Sequence, residues 1–336
     1  MDILDKAIAK REIFNERQNK GNITKPCHIA FGVDANFVRP MGITITSLLI
    51  NNRDEDFVFH IFLNSIHDID VERLRMLAKQ YETTIQLYFI DKSVFGELPT
   101  TWRCSHAVYN RFVVGRALYG VSDRVLYLDA DIVCLGKVRE LLDTNLGSSV
   151  AAVVQEEKTE FINGQIKKLQ LQNGKYFNAG VLYIDVVKWN EQNISDKAVQ
   201  LLAEKYEFFN LMDQDALNVL LDGKVKFVNS KWDFMCNLEK KIKEIPADTV
   251  LLHYTSREKP WHKWCIHPLA ATFTQYAAQS LWRDVPLDEI PRSYKEMKMM
   301  GRALLHQKDY SGSLYWYSRY VQEKLKIKLT GKKEIQ

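Results

Sequence analysis

The sequence predicts an α/β fold, with a mixed, mostly parallel sheet followed by a small helical module. Short apolar runs alternate with segments of helical spacing four times between residues 28 and 131. The 46% apolar content of 336 residues is enough to pack one large domain with an appendage. We expect an N-terminal extension at residues 1–24, a main domain at 25–275 and a basic helical module at 276–336.

The elements of the first half follow from two kinds of hydrophobic spacing. Short runs of apolar residues predict strands at 28–33, 57–64, 84–91 and 124–132. Helical spacing of apolar residues predicts helices at 40–52, 70–81 and 106–120. Because each strand is followed by a helix, we expect these strands to run parallel.

The second half alternates less regularly. The same criteria predict strands at 149–154, 176–186, 224–229 and 249–255, and helices at 195–209 and 213–223. A linker punctuated by prolines follows at 286–298. The last segment predicts two helices with a break near Ser311 and Gly312.

The C-terminal segment is strongly basic. Residues 291–336 hold eleven Lys and Arg against four Asp and Glu, a balance of +7 in a chain whose net charge is +4. Tyr315, Trp316, Tyr317 and Tyr320 lie among these charges, which favours contact with an anionic membrane surface. The alternative is a terminal helix that packs on the protein and exposes a charged face. No recognised nucleic-acid-binding module accompanies the charge, so nucleic acid is not an expected partner.

The N-terminus and the cysteines indicate a reducing compartment. The first 22 residues lack the apolar core of a secretory signal, and no run approaches the length of a transmembrane helix. The five cysteines are scattered, odd in number and free of CxxC spacing, which suits reduced thiols. We therefore expect a cytoplasmic protein that crosses no membrane.

Two acids, Asp129 and Asp131, interrupt an apolar run where an ionised carboxylate is costly unless it is paired. Asp34 and Asn36 likewise follow the first strand, and ligands of such sheets bind beyond the carboxyl ends of the strands. Carboxylates two residues apart can converge on a hard cation, Mg²⁺ or Mn²⁺. The alternative is that the two acids cap a turn or pair with Lys or Arg.

Two further candidates are His253, near the end of the strand predicted at 249–255, and Lys259, which follows that strand. A neutral imidazole at position 253 could be a third ligand of Mn²⁺, and the lysine six residues later could meet a phosphate. A histidine in such a place is also common as a satisfied interior residue, so the spacing alone leaves both explanations open.

The remaining candidates begin a strand or lie on helices. Asn178 and Gly180 open an apolar strand, where an amide can bind a sugar hydroxyl and a glycine allows close approach. Asp213 and Gln214 open a helix, and Arg111 lies on an otherwise apolar one. Helix capping, strand entry and a structural ion pair are the ordinary explanations of these residues.

The chain resembles the retaining glycosyltransferase family 8 in six ordered segments: GVDANF, YNRF, LYLDADIV, FNAGVLYID, DQDALN and HYTSREKPWHKW. It is similar to the branch of hexosyltransferases that extend the outer core of Gram-negative lipopolysaccharide. The resemblance covers about residues 25–270, and about 280–325 resemble the C-terminal module of that branch. It implies a GT-A nucleotide-sugar-binding fold, a UDP-hexose donor (UDP-galactose or UDP-glucose), a divalent metal and a lipopolysaccharide core acceptor.

The resemblance also implies roles for the candidate residues. The metal ligands would be Asp129, Asp131 and His253. The residues that line the donor sugar or take part in the reaction would be Arg111, Asn178, Ala179, Asp213 and Gln214. The nucleotide-sugar-binding residues would be Gly32, Val33, Asp34, Asn36, Phe37, Asp129, Ala130, Ser256 and Lys259. The family usually has glycine where this chain has Ser256, so we expect altered loop geometry there, because a positive φ suits serine poorly.

The implied reaction retains the anomeric configuration and forms an α-1,2 or α-1,3 linkage at the cytoplasmic face of the inner membrane. Gln214 would be a poor covalent nucleophile, which favours front-side attack, while Asp213 stays open as a nucleophile or charge stabiliser. A dehydrogenase is disfavoured because no GxGxxG follows the first strand. A hexosyltransferase acting on another cell-surface polysaccharide and a non-catalytic carbohydrate-binding protein are the alternatives.

Overall fold

The computed structural model describes residues 3–16, 25–96, 98, 106–240 and 244–330. The chain divides into two compact units, Met1–Phe234 with Pro246–His253, and Met235–Ile245 with Tyr254–Gln336. Across the described residues, no helix combines the length and the apolar character needed to span a bilayer.

The strands and α-helices have the following bounds. The strands are β1 (Ile8–Asn15), β2 (Cys27–Val33), β3 (Phe57–Leu63), β4 (Thr84–Ile90), β5 (Arg124–Leu128), β6 (Ile132–Cys134), β7 (Ala151–Gln155), β8 (Phe177–Asp185), β9 (Val225–Val228), β10 (Phe234–Met235) and β11 (Leu251–His253). The helices are α1 (Val38–Asn51), α2 (Asp68–Tyr81), α3 (Arg111–Leu118), α4 (Arg139–Leu142), α5 (Glu160–Lys168), α6 (Val186–Glu191), α7 (Ile194–Lys205), α8 (Met212–Leu220), α9 (Ala270–Ala277), α10 (Tyr294–His306) and α11 (Tyr310–Thr330).

Within the described part of the chain, eight strands form the main sheet in the order β1-β4-β3-β2-β5-β8-β7-β9, and β10, β11 and β6 form a small second sheet. The pairs β2–β3, β3–β4, β2–β5 and β7–β9 are parallel. β8 runs antiparallel to both of its neighbours, and β1 runs antiparallel to β4. The predicted α/β class with a mixed, mostly parallel sheet is therefore confirmed. β1 lies within residues 1–24, where no strand was predicted.

The central strands are buried on both faces, which explains their continuous apolar runs. Every residue of β3 and of β8 is buried. α3 covers one face, where Phe112 and Val113 share a core cluster with Ala30 and Tyr127 of the sheet. α1 is also buried along most of its length, and it packs against β6 and α2. The threonines of α1 are poor helix formers, so tertiary packing stabilises this helix.

The strand predicted at 124–132 is two strands in different sheets. β5 ends at Leu128, residues 129–131 form a turn, and β6 begins at Ile132. β6 pairs antiparallel with β11 instead of continuing beside β2. The prediction of one continuous strand was wrong because the apolar residues after the turn are buried in a second sheet, where they satisfy the same hydrophobic pattern.

In the second unit, α10 and α11 pack against each other and are joined by a short turn. α10 begins with a capping box formed by Ser293 and Glu296. The break between the helices falls at residues 307–309, where Lys308 has a φ of 65° and Asp309 accepts a hydrogen bond from the Gly312 amide at 2.9 Å. The predicted break near residues 311 and 312 is therefore three residues late.

The two faces of α11 have different surroundings. Trp316 joins a small cluster with Trp264, Met300 and Ala303, and Tyr320 stacks on Tyr294. On another face, apolar side chains recur at spacings of seven, four and four residues and are solvent-exposed. These are Leu314 (73%), Val321 (49%), Leu325 (53%) and Leu329 (85%). α11 is thus apolar on two faces, of which one packs within the unit.

A chain of buried polar groups crosses the main sheet. His60 Nδ1 lies 3.0 Å from the Tyr88 hydroxyl, which donates to Gln86 Oε1 at 2.7 Å. Because the hydroxyl has a single proton, His60 Nδ1 carries the hydrogen and donates it to Tyr88. His60 Nε2 then accepts from His28 Nδ1 at 2.8 Å. Burial, with a smaller contribution from His28, lowers the pKa of His60 to about 3.

The depressed pKa of His60 predicts a loss of stability in mild acid. The unfolded chain binds a proton on this residue below about pH 6.5, whereas the folded chain stays neutral until about pH 3. The contribution of the neutral His60 to the free energy of unfolding should therefore be constant above pH 6.5. Below that pH, the free energy of unfolding should fall by about 1.4 kcal/mol per pH unit. Urea unfolding at pH 7.5 and pH 5.0 measures this loss.

The His60→Gln variant removes the buried imidazole and should lose less stability between these two pH values than the parent chain. His306→Gln, at an exposed position, is the matched control and should behave as the parent. An equal loss in the parent and in His60→Gln would contradict the prediction.

Candidate active site

The sheet order brings several predicted site segments to one edge. β2 and β5 are parallel neighbours, so their carboxyl ends lie together, followed by Asp34 and Asp129. β8 runs antiparallel to β5, so it begins where β5 ends. The Asp129 amide donates to the Gly180 carbonyl at 2.8 Å, which ties the start of β8 to the end of β5. The strand directions alone therefore bring the predicted segments of Asp34, Asp129 and Gly180 to one edge of the sheet.

The second sheet adds Asp131 and His253. β6 and β11 pair with Ile132 opposite His253, so the residue before β6 lies beside the last residue of β11. His253 Nε2 is 3.2 Å from Asp131 Oδ1 and 3.9 Å from Asp129 Oδ2. One ligand atom from each of the three residues lies within 4.8 Å of the other two. The three predicted ligands thus meet in one cluster.

The cluster fits a divalent cation. His253 Nδ1 donates to the buried Asp233 at 2.9 Å, so Nε2 is the nitrogen directed at the two acids. Burial alone would lower the pKa of His253, but Asp131 and Asp233 outweigh it and raise this pKa well above its usual value. A Cβ at Gly180 would lie 2.8 Å from Asp129 Oδ2 and closer still to the imidazole. Two carboxylates, one imidazole and this cleared space suit Mg²⁺ or Mn²⁺.

Arg111, at the start of α3, joins the ends of several elements. Its guanidinium lies 3.0 Å from Asp129 Oδ1, 3.0 Å from Asp213 Oδ2 and 2.8 Å from the Ala179 carbonyl. The guanidinium also lies over the ring of Tyr127, 4.8 Å from its centroid. The expected structural ion pair is therefore present, and its partners are themselves predicted site residues.

Asp213 opens α8 and is buried against this guanidinium. Burial raises its pKa to about 6. Arg111 acts in the opposite direction, and the negative charge of Asp129 raises this pKa further. A carboxyl group of this kind changes its protonation close to neutral pH. Perturbed acids of this type are common in functional sites.

Gln214 is held in one orientation. Its Oε1 accepts from the Ala179 amide at 3.0 Å, and its Nε2 donates to the Tyr176 hydroxyl at 3.3 Å. That hydroxyl in turn donates to Asp215 Oδ1 at 2.5 Å. Asp215 also accepts from Gln165 and from the amides of residues 210 and 211. These hydrogen bonds give the Asp215 carboxylate a structural role. Within the segment Asp213-Gln214-Asp215, the two residues that can contact a ligand are therefore Asp213 and Gln214.

Asn178 lies at the start of β8 and donates from Nδ2 to Glu156 Oε1 at 2.9 Å. Burial raises the pKa of Glu156, and the nearby Asp233 acts in the same direction. Asn178 Oδ1 accepts from the Gly180 amide at 2.7 Å. The amide of Asn178 therefore holds the strand entry and connects Glu156 to the same edge of the sheet.

The predicted nucleotide-binding residues fall into two groups. Gly32 and Val33 end β2, Asp34 caps the short turn that follows through the Asn36 amide at 2.9 Å, and Asn36 and Phe37 are exposed. Ala130 lies between the two acids in the turn after β5. This group is at the same sheet edge as the cation cluster.

Ser256 and Lys259 belong to the second unit. Ser256 is not among the described residues with a positive φ, so the strain expected for a serine there does not arise. Its hydroxyl accepts from the Leu238 amide at 3.0 Å and donates to the Glu258 carbonyl at 2.8 Å. Lys259 Nζ donates to the Tyr254 carbonyl at 2.5 Å. The serine therefore fixes its loop by side-chain hydrogen bonds.

Sequence reasoning missed Glu156 and Asp233, which both lie at this edge of the sheet. Glu156 follows the apolar strand β7, as Asp129 follows β5, so the same signal was available for it. Asp233 follows a short turn twenty positions before His253, and no sequence spacing indicates their pairing.

The amino-acid sequence matches the family model described as glycosyl transferase family 8 over residues 28–265. The chain belongs to glycosyltransferase family 8. A second model, the C-terminal region of the same family, matches residues 267–324. The predicted family and the enzyme class, a glycosyltransferase, are therefore confirmed, while the predicted domain boundaries at 25 and 275 stay predictions.

Relatives and solved structures agree with this assignment. The chain is 35% identical over 309 residues to a lipopolysaccharide 1,3-galactosyltransferase of Salmonella typhimurium, covering 89% of this chain and 91% of the relative. It is 34% identical to a lipopolysaccharide 1,2-glucosyltransferase of Escherichia coli, covering 90% and 92%. The crystal structure of the galactosyltransferase LgtC, with donor and acceptor sugar analogues, is similar with a TM-score of 0.66 at 24% identity. It covers 79% of this chain and 97% of LgtC, which confirms the predicted GT-A fold.

Replacing Arg111 tests how much its charge contributes to the stability of the fold. Arg111→Met should lower the free energy of unfolding by about 3–5 kcal/mol, because it leaves two largely buried carboxylates without their cation. Arg116→Met, on the same helix, is the matched control. Arg116 pairs with Asp196 at 3.0 Å, with both side chains about one-third exposed, so its loss should cost under about 1 kcal/mol. Similar losses in the two variants by urea denaturation would contradict the central role of Arg111.

Proposed function

We propose that the protein transfers galactose or glucose from a UDP-hexose to the outer core oligosaccharide of lipopolysaccharide, with retention and through an α-1,2 or α-1,3 linkage. The observation that carries this proposal is the convergence of Asp129, Asp131 and His253 beside Arg111 and Gln214. The acceptor class is supported by the two lipopolysaccharide hexosyltransferases that match nearly the whole chain.

The chemistry requires stabilisation of the leaving diphosphate. A cation held by Asp129, Asp131 and His253, Mg²⁺ or Mn²⁺, would neutralise the charge that develops on UDP as the anomeric bond breaks. The residues of the chain would hold and orient the donor around it. Asp34, Asn36 and Phe37 would contact the uridine, and Lys259 would contact the diphosphate as a point charge.

The donor sugar would lie against the start of β8 and the start of α8. Asn178, Ala179, Asp213 and Gln214 would line the donor sugar, and Arg111 would hold Asp213 in place. An oxocarbenium-like sugar gains from nearby negative charge. Asp213 is engaged by Arg111 and 5% exposed, which favours a role as charge stabiliser. The acceptor hydroxyl would then attack on the face of the leaving group and give its proton to the departing phosphate.

A panel of UDP-hexoses offered with core-truncated lipopolysaccharides tests the function, with UDP release and product linkage as readouts. We expect one UDP-hexose to be consumed only with one truncated core and with Mg²⁺ or Mn²⁺ present. Asp131→Asn should reduce turnover by at least about 100-fold while the chain still folds. Asp54→Asn, at an exposed surface position, should leave turnover unchanged.

Three outcomes would contradict the proposal. Turnover with capsule or wall polysaccharide, offered in the same assay, and with none of the truncated lipopolysaccharides would move the acceptor to another cell-surface polymer. Binding of UDP-hexose without UDP release from any acceptor would indicate a carbohydrate-binding protein. Near-normal activity of Asp131→Asn would reject the metal assignment.

We propose that the protein is located peripherally at the cytoplasmic face of the inner membrane and that the second unit makes the membrane contact. Of the four aromatics predicted to face the membrane, Trp316 and Tyr320 pack against α10 and Tyr317 is half-buried, whereas Tyr315 is exposed. The exposed apolar face of α11, formed by Leu314, Val321, Leu325 and Leu329, is therefore the better contact surface. Arg319, Lys324, Lys326 and Lys328 lie on the same helix, and their charge suits anionic headgroups.

Vesicle co-sedimentation tests this face. We expect the protein to sediment with vesicles containing anionic phospholipid and to do so less with zwitterionic vesicles. The double variant Val321→Ser/Leu325→Ser should weaken the binding several-fold, since each side chain contributes buried apolar area. Ile13→Ser, which removes an equally exposed apolar side chain from β1, is the control and should bind as the parent does. Unchanged sedimentation of the double variant would reject this face.

A further inference from the structure

One face of the buried helix α1 carries hydroxyl and amide side chains that reach the backbone around the acid turn. Ser47 Oγ accepts from the Cys134 amide at 2.9 Å, and Asn51 Nδ2 donates to the Cys134 carbonyl at 2.9 Å. Asn52 Oδ1 accepts from the Val138 amide at 2.8 Å. A row of side-chain hydrogen bonds therefore attaches the segment that follows Asp131 to α1.

Thr44 is the member of this row nearest the cation cluster. Its Oγ1 lies 2.6 Å from the Ile132 carbonyl oxygen, 2.9 Å from the Ala130 carbonyl oxygen and 3.1 Å from the Pro40 carbonyl oxygen of its own helix. The single hydroxyl proton is shared among these acceptors, and the two nearest carbonyls belong to the residues on either side of Asp131. Thr44 is fully buried, so no water replaces its hydroxyl as their donor.

The contact constrains the direction of the Asp131 side chain. Both flanking carbonyls turn towards one hydroxyl, and this fixes the peptide plane that precedes Asp131 and the peptide plane that follows Ile132. The Asp131 carboxylate, between these two fixed planes, lies 3.2 Å from His253 Nε2. Without the hydroxyl, the two carbonyl oxygens would face an apolar group and repel each other. The hydrogen bonding that stabilises this conformation of the turn would then be lost.

We propose that Thr44 is a positioning residue for the metal site, which acts through the backbone on both sides of Asp131. The inference rests on the proposed cation site of Asp129, Asp131 and His253. Groups that orient a metal ligand typically change metal affinity by 10–100-fold when they are removed. We expect about a tenfold weaker affinity for Mn²⁺ without this hydroxyl.

The chain contains a matched control two residues away. Thr46 lies on the same helix, is fully buried, and donates from its hydroxyl to the Gly42 carbonyl at 2.8 Å within α1. Thr44→Val and Thr46→Val make the same chemical change in the same helix. They differ in that Thr44 contacts the acid turn.

The experiment measures Mn²⁺ binding to the full chain by calorimetry, together with the Mn²⁺ dependence of UDP-hexose turnover. Thr44→Val should bind Mn²⁺ about tenfold more weakly and need correspondingly more Mn²⁺ for half-maximal turnover. Its kcat at saturating Mn²⁺ should stay within about twofold of the parent, because the residue contacts neither substrate nor cation. Thr46→Val should match the parent in both measurements.

A second pair at the same position covers the case in which Thr44→Val does not fold. Thr44→Ser and Thr44→Ala both lose the methyl group, and Thr44→Ser alone keeps the hydroxyl. Mn²⁺ affinity near that of the parent in Thr44→Ser, with a tenfold loss in Thr44→Ala, supports the proposal. Equal affinity in these two variants, or in Thr44→Val and Thr46→Val, overturns it. A parent chain that binds no Mn²⁺ would instead reject the metal site itself, so the two failures are distinguishable.

Discussion

The site is organised around the buried guanidinium of Arg111. It is the cation that binds Asp129 after β5, Asp213 at the start of α8 and the Ala179 carbonyl at the start of β8. These three elements come from distant parts of the chain, and each ends in a polar group that burial would otherwise make unfavourable. One planar cation with five donors satisfies all three at once, which a lysine at this position could not do.

The ion pair with Arg111 gives the two carboxylate oxygens of Asp129 different partners. Oδ1 accepts from Arg111 at 3.0 Å and from the Tyr127 hydroxyl at 3.3 Å. Oδ2 points towards His253 and the space left by Gly180. Because the first oxygen is held by two donors, the second keeps its direction before any cation binds. The geometry for a cation is thus built into the fold, and less entropy is lost on binding.

Sequence patterns predicted what depends on local spacing. The alternation of strand and helix identified the sheet, and two acids after an apolar run identified the edge at which Asp129 and Asp131 lie. The patterns failed where the outcome depends on distant pairing. The turn at residues 129–131 splits one apolar run between two sheets, and Asp233 contacts His253 only because β11 lies beside it. Family resemblance, and not spacing, joined His253 to the two acids.

The same distinction applies to α11. Composition located a basic helix with aromatic residues, but it did not decide which face packs, because both faces are apolar. Tyr320 and Trp316 lie against α10, and the face of Leu325 is left exposed. The proposed membrane contact therefore depends on the exposed leucines and valine of α11, and of the predicted aromatics only Tyr315 is exposed beside them.

The balance of charge at the sheet edge explains why a cation belongs in this site. Asp129, Asp131, Asp213, Asp233 and Glu156 are acids that influence one another there, against the guanidinium of Arg111 and the imidazole of His253. Burial raises the pKa of Asp213, Asp233 and Glu156, and repulsion by neighbouring acids adds to the increase in each pKa. Such an edge would repel a diphosphate. Neutralisation by a divalent cation would reverse that repulsion, so the proposed binding of a nucleotide sugar and the proposed binding of the cation would be thermodynamically coupled, and each would strengthen the other.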